Sequence, residues 1–211
     1  MWITGKNLLL MVLLAGPASA QRLVSSTAPA TPAPAMSGPA YEVSSGYTSL
    51  AMPIPGAGQV HLNGLDASGS IEWNPRWGAT LDTNYLRSSS VPGTAHQAYL
   101  LNLQLGPQFC AFDHRNTRLL VRALGGSALV DGAAPDNKTG FYHGWLVRPS
   151  LAIGAGVEQS LSRQFAVRIN ADYLRTSFYD ASGAVSAQDN LRLSLNITFR
   201  KARAGRLARA W

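Results

Sequence analysis

The chain has 211 residues, of which 46% are hydrophobic and only 14% charged, with a net charge of +7. That length suits one domain with processed or extended ends, and the charged fraction lies well below the ~25% usual in soluble domains. With one cysteine, Cys110, an intramolecular disulfide is excluded, and no Cys/His spacing points to zinc.

A mean hydropathy of −0.01 alongside so few charges means many uncharged polar residues. A membrane barrel needs that mixture, because one side of each strand meets lipid and the other a polar interior. A soluble β-sandwich shares it. The positive charge is concentrated at one end: Arg200, Lys201, Arg203, Arg206 and Arg209 are basic with no acid among them. Setting aside those five and Lys6 leaves 12 basic against 11 acidic residues. A nucleic-acid-binding domain would gather its bases on a folded face, so no nucleic-acid partner is expected.

Residues 1–20 read as a secretory signal peptide. Lys6 precedes the apolar run Leu8-Leu9-Leu10-Met11-Val12-Leu13-Leu14, Gly16 and Pro17 break it, and Ala18-Ser19-Ala20 forms an A-x-A cleavage site with Ala18 and Ala20 as its small residues. The run is shorter than the ~20 residues a spanning helix needs. Residues 21–40, with Ala28-Pro29-Ala30-Thr31-Pro32-Ala33-Pro34, read as a disordered linker.

From residue 41 the pattern has period two, and eight strands are expected over 41–50, 61–73, 77–88, 97–112, 117–130, 145–161, 165–179 and 190–200. In the second, Leu65, Ala67, Gly69, Ile71 and Trp73 oppose Asp66, Ser68, Ser70 and Glu72. In the seventh, Phe165, Val167, Ile169, Ala171 and Tyr173 oppose Arg168, Asn170 and Asp172. In the eighth, Leu191, Leu193, Leu195, Ile197 and Phe199 oppose Asn190, Arg192, Ser194, Asn196, Thr198 and Arg200. A helix of period 3.6 would scramble these sets. Short connections (74–76, 113–116, 162–164) alternate with longer ones (51–60, 89–96, 131–144, 180–189), as in barrels with periplasmic turns and external loops. The remaining residues, 201–211, form a basic tail.

Rings gather near strand ends on the apolar face: Tyr41, Tyr47, Trp73, Trp77, Tyr85, Tyr99, Phe109, Trp145, Phe165, Tyr173 and Phe199. Two interfacial girdles have that distribution, whereas a soluble barrel core would concentrate rings mid-strand. The opposite face carries Glu42, Asp66, Glu72, Asp82, Glu158 and Asp172 against Arg118, Arg122, Arg148, Arg168 and Arg192. An eight-stranded barrel is wide enough only for its side chains, so if this face is the inside, acids and arginines must pair. The expected fold is therefore all-β: an eight-stranded, antiparallel, up-and-down transmembrane barrel over 41–200. Its lumen is expected to be closed by a salt-bridge network of those eleven residues.

Two segments carry a resemblance beyond periodicity. Ala171-Asp172-Tyr173-Leu174-Arg175-Thr176-Ser177-Phe178, and Gln188-Asp189-Asn190-Leu191-Arg192-Leu193-Ser194 with the ending Ile197-Thr198-Phe199-Arg200, resemble small bacterial outer-membrane barrel-domain proteins of the OmpA-like class. Leu105-Gly106-Pro107-Gln108-Phe109 and Asn63-Gly64-Leu65-Asp66-Ala67-Ser68 are similar to that class too. The resemblance implies an outer-membrane address, contact with outer-membrane lipid, and insertion by the barrel-assembly machinery, which reads a last strand ending in an aromatic. Phe199 is the best match for that residue. The chain departs from the pattern by continuing to Trp211.

A lipid-modifying barrel enzyme and a soluble, secreted ligand-binding barrel are the alternatives. For the first, His61, His96, His114 and His143 all fall at turns or strand ends, and none is placed by sequence beside a nucleophile. No catalytic residue, cofactor site or metal site is expected, and no surface partner is identifiable.

Overall fold

The structure, a computed structural model, describes residues 40–54, 58–89, 97–131, 145–179 and 185–201. The leader with Ala18 and Ala20, the linker before Ala40, the tail after Lys201, and His96 and His143 lie outside the described residues.

Eight strands follow in chain order: β1 (Ala40–Ile54), β2 (Gly58–Glu72), β3 (Trp77–Ser88), β4 (Ala98–His114), β5 (Thr117–Asp131), β6 (Leu146–Ser160), β7 (Phe165–Tyr179) and β8 (Val185–Lys201). Each pairs antiparallel with its sequence neighbours, and β1 pairs with β8 to close the barrel. The eight-stranded up-and-down barrel read from the alternation is the fold observed. Several strands run further than the alternation suggested. β1 continues to Ile54, β2 begins at Gly58 and β8 begins at Val185, because hydrogen-bonded pairing holds the ladder beyond the point where side-chain alternation fades.

The stagger can be followed partner by partner. From Ala40 the paired row runs through Glu72, Gly78, Gln108, Arg122, Gly154, Asp172 and Arg192, and returns to β1 at Leu50, ten residues further on. Closure of a sheet with such a stagger goes with strands tilted by roughly 35–45°.

Local chemistry sets the short turns. Asn74 Oδ1 accepts from the backbone N–H of Arg76 (2.9 Å) and Trp77 (2.7 Å). Ser162 Oγ accepts from Gln164 (3.2 Å) and Phe165 (3.0 Å) in the same way. Side chains that imitate a backbone turn are the reason Asn and Ser stand there. The third short turn is Arg115-Asn116, where Arg115 takes a left-handed φ of 55°.

Even-numbered strand positions point inward and odd-numbered ones outward, except past the bulge between Cys110 and Phe112, where Phe112 turns outward. Exposed rings form two bands: Tyr41, Trp73, Trp77, Phe165 and Phe199 near the turns, and Tyr47, Tyr85, Trp145 and Tyr173 toward the loops. Trp77 packs on Phe109 (ring centroids 4.8 Å apart), Phe165 on Phe199 (5.5 Å) and Tyr85 on Tyr99 (6.2 Å). Between the bands the outward side chains include Leu81, Leu105, Val121, Ile153, Ile169, Leu193 and Leu195. Among the described strand residues, outward Asp, Glu, Lys and Arg lie past them: Arg87, Asp131, Arg175 and Asp189 toward the loops, Asp113 and Lys201 toward the turns.

Candidate functional site

The lumen is filled in three storeys, and their composition follows from where each even-numbered position falls in the stagger. Nearest the turns, Glu42, Glu72 and Glu158 meet Arg118, Arg168 and Arg200. Glu42 Oε1 accepts from Arg118 Nη1 (2.9 Å) and Arg200 Nε (2.7 Å), and its Oε2 accepts from Arg168 Nη2 (2.5 Å). Glu158 Oε2 accepts from Arg168 Nε at 2.9 Å. Arg118 also pairs with Glu72, and Arg200 with Glu158. Three carboxylates face three guanidiniums.

The middle storey holds a ring of four. Arg122 grips Asp172 with a two-pronged fork, Nε to Oδ1 at 2.9 Å and Nη2 to Oδ2 at 2.6 Å, and reaches Asp82 Oδ2 at 3.0 Å. Arg192 donates from Nε to Asp172 Oδ2 and from Nη1 to Asp82 Oδ1, both at 2.9 Å. Each aspartate thus lies between two arginines, and charge-assisted, bidentate bonds of this kind are the strong ones. Asp82, Asp172 and Arg192 have 0% exposure. Enclosure on this scale is tolerated only because every charge has an opposite neighbour.

A glycine makes the ring possible. Gly154 sits between Arg122 and Asp172 in the paired row, and any side chain there would occupy the place of Asp172 Oδ1. Gly46 has the same relation to Asp66 and Asn196, its partners on either side. Asn196 reaches over it, and its Nδ2 donates to Asp66 Oδ2 at 2.6 Å. A polar ladder continues from the ring, with Asn84 Nδ2 donating to Asp82 (3.0 Å) and Asn102 Nδ2 donating to Asn84 (2.8 Å).

The storey nearest the loops is mainly apolar, with Ser150, Thr176, Gln188 and Asn190 buried on its β6–β8 side. Leu50, Met52, Val60, Leu62, Leu86, Leu100, Ala128, Leu174 and Phe178 form one buried cluster. The salt-bridge networks therefore occupy the two storeys nearer the turns, and leucines fill much of this one. These residues share the inward, even-numbered parity, and their only sequence signal is that apolar residues there interrupt the alternation beside the longer connections.

Of the eleven charged residues expected inside, Glu42, Glu72, Arg118, Glu158 and Arg168 lie in the lower network, and Asp82, Arg122, Asp172 and Arg192 in the middle one. Asp66 lies inside but outside both networks. Arg148 is half-buried toward the loops, level in register with Ala128, and is separate from both. Arg200, on the polar face of the expected eighth strand but not among those eleven, is the last inward residue of β8, with its guanidinium inside the barrel. A cavity of 210 Å³ opens at the turn end, lined by Glu42, Glu72, Arg118 and Arg200 together with Asp113, Arg163 and Lys201. Cys110 is buried, its thiol directed to the Phe112 carbonyl at 3.3 Å. His61 and His114 lie at opposite ends of the barrel wall, so the fold does not bring them together. Among the described residues no cluster of His, Cys, Asp or Glu could hold a metal ion.

No family model matches the chain, and no curated protein matches it by sequence. Solved structures do. The attachment invasion locus protein Ail of Yersinia pestis superposes with a TM-score of 0.55 at 15% identity, over 78% of this chain and 99% of that one. Neisserial surface protein A gives 0.56 at 11% identity, over 77% and 98%. The outer membrane protein OprG of Pseudomonas aeruginosa gives 0.50 at 10%, over 79% and 98%. At these identities the likeness is one of fold: the chain has the architecture of the small bacterial outer-membrane β-barrels.

Proposed function

We propose that the chain is a small outer-membrane β-barrel with a closed lumen, serving a structural or surface-interaction role rather than a catalytic or conducting one. The observation that carries this reading is the inversion of polarity. Arg122, Arg168 and Arg192 are enclosed at 4% exposure or less, while Leu65, Leu151, Ile153 and Ile197 are each more than 60% exposed. In water that arrangement leaves a continuous apolar wall far larger than soluble monomers present. In a bilayer the same wall is the solvated surface, and a closed barrel satisfies every backbone group without an edge. A soluble ligand-binding barrel would need the opposite polarity, with the apolar face lining its cavity.

The two bands of rings mark the interfaces. The lipid partner is then the outer-membrane bilayer, reached by export through the leader and insertion by the barrel-assembly machinery. Phe199, outward near the end of β8 and packed on Phe165, suits the terminal aromatic that machinery reads. With the termini of β1 and β8 on the short-turn side, the longer connections face outward from the cell as the interacting surface.

Cell fractionation tests the address, and migration of unboiled against boiled protein in detergent gels tests the closed barrel. The expected result is an outer-membrane band whose mobility changes on boiling. Recovery in the soluble periplasm, with mobility unaffected by heat, overturns the reading. Planar-bilayer recording tests the closure: no stable conductance is expected, and a large, steady one contradicts the filled lumen.

A further inference from the structure

The lumen's charges balance in one storey and not in the next. The lower network has three acids and three arginines, and the ring of Asp82, Arg122, Asp172 and Arg192 has two of each. Asp66 is left over. It is 2% exposed and takes part in no ion pair among the described residues. Its Oδ2 accepts one bond from Asn196 Nδ2, while its Oδ1 accepts none among those residues. Asn196 is itself 1% exposed, and its Oδ1 is also without a hydrogen-bond partner. The two side chains meet above Gly46, so no β1 side chain comes between them.

Two buried oxygens, one on each partner of a single hydrogen bond, lack donors at a carboxylate that, among the described residues, has no ion-pair partner. A bare carboxylate held by one amide in a dry interior is strongly disfavoured. One added cation repairs all three deficits together. We infer that Asp66 and Asn196 form a mid-lumen site for a single small cation, a proton or an alkali-metal ion, held between the carboxylate and the amide oxygen. If the occupant is a proton, Asp66 carries it as a neutral acid and the two groups close an acid–amide pair. If it is a sodium or potassium ion, the same oxygens are its ligands. The charged groups of the surrounding storey are Asp82 on β3, Arg122 on β5, Asp172 on β7 and Arg192 on β8, all occupied with one another, and neighbouring β1 offers only Gly46 and Thr48 at that level. The inference rests on the lumen's charge balance, not on which membrane or partner the barrel serves.

The test uses the full mature chain refolded in detergent, wild type against Asp66→Asn, with urea midpoints measured from pH 5 to 9 in sodium and in choline chloride at equal ionic strength. A proton retained only by the folded state makes the wild type lose stability as pH rises, because the unfolded aspartate is already ionised there. The slope approaches about tenfold in the folding equilibrium per pH unit, and Asp66→Asn removes it. An alkali ion instead makes the wild-type midpoint rise with sodium at fixed pH, again only while Asp66 is present. Infrared spectroscopy of the wild type adds a readout that needs no variant: the proton arm requires a protonated-carboxyl carbonyl band in the folded barrel. Equal pH and sodium responses in the two proteins, with no such band, overturn the inference, as does the absence of both the band and any sodium response in the wild type alone should Asp66→Asn fail to fold.

Discussion

The loop-end storey of the lumen and the two storeys beneath it are both built from even-numbered strand positions, yet the first is filled mainly by leucines and the others by ion pairs. Toward the loops, Leu50, Leu62, Leu86, Leu100 and Leu174 pack against one another at 0% exposure. Below, Arg118, Arg122, Arg168, Arg192 and Arg200 thread between carboxylates. Leucines exclude water by shape and depend little on the identity of any one neighbour. The arginines fill space too, but each depends on a specific partner, because removing that partner leaves a buried charge uncompensated. The two parts should therefore respond differently to the same kind of injury.

The largest difference is expected from breaking the ring of four. Arg192→Met leaves Asp82 and Asp172 with one arginine between them, and should lower the unfolding free energy in urea by about 3–5 kcal/mol. Replacing all four ring residues with apolar ones of similar volume should cost far less than that single change. A quadruple variant as damaged as Arg192→Met would show that packing, not charge pairing, dominates there. In the loop-end storey, Leu174→Ala should cost about 2–5 kcal/mol, and Leu174→Met under about 1.5. A large penalty for the isosteric change would make this storey as partner-specific as the ring. Gly154→Ala places a methyl where Asp172 Oδ1 lies and should cost about 1–3 kcal/mol. Part of that cost should vanish in the quadruple background, where no carboxylate crosses the glycine, and the part due to the Ala171 carbonyl oxygen should remain. The smallest effect belongs to the outer rim: Arg175 and Asp189, 3.9 Å apart and more than half exposed, should change stability by no more than about 0.5 kcal/mol on Arg175→Ala.

The same contrast explains what could be read in advance. Strand number, antiparallel order and the division into two faces follow from period two and from turn chemistry, both of which are local. Asn74 and Ser162 announce their turns because each caps the two N–H groups that follow within three residues. Leu50, Leu62 and Leu174 were not legible as lumen residues, since an apolar residue on a polar face reads locally as a fading strand. The partners of Glu42 were not legible either: Arg118, Arg168 and Arg200 come within reach only when β8 closes onto β1 with a ten-residue stagger. That stagger is a property of the whole barrel. It also decides that Asp66 faces an amide and no arginine, and that Gly46 and Gly154 are the gaps through which side chains cross a strand.

A transmembrane barrel of this polarity requires its outward leucines to meet lipid while its inward polar residues meet neither lipid nor water. Single cysteines placed at each position of β8 from Leu191 to Phe199, in a Cys110→Ser background reconstituted in vesicles, test this directly. A fluorophore on each is quenched by brominated lipid, and the free thiol is offered a membrane-impermeant maleimide. A strict two-residue alternation is predicted, with Leu191, Leu193, Leu195 and Ile197 quenched by lipid and Arg192, Ser194 and Asn196 neither quenched nor labelled. Lipid quenching at the even positions, or water-soluble labelling at the odd ones, would contradict it.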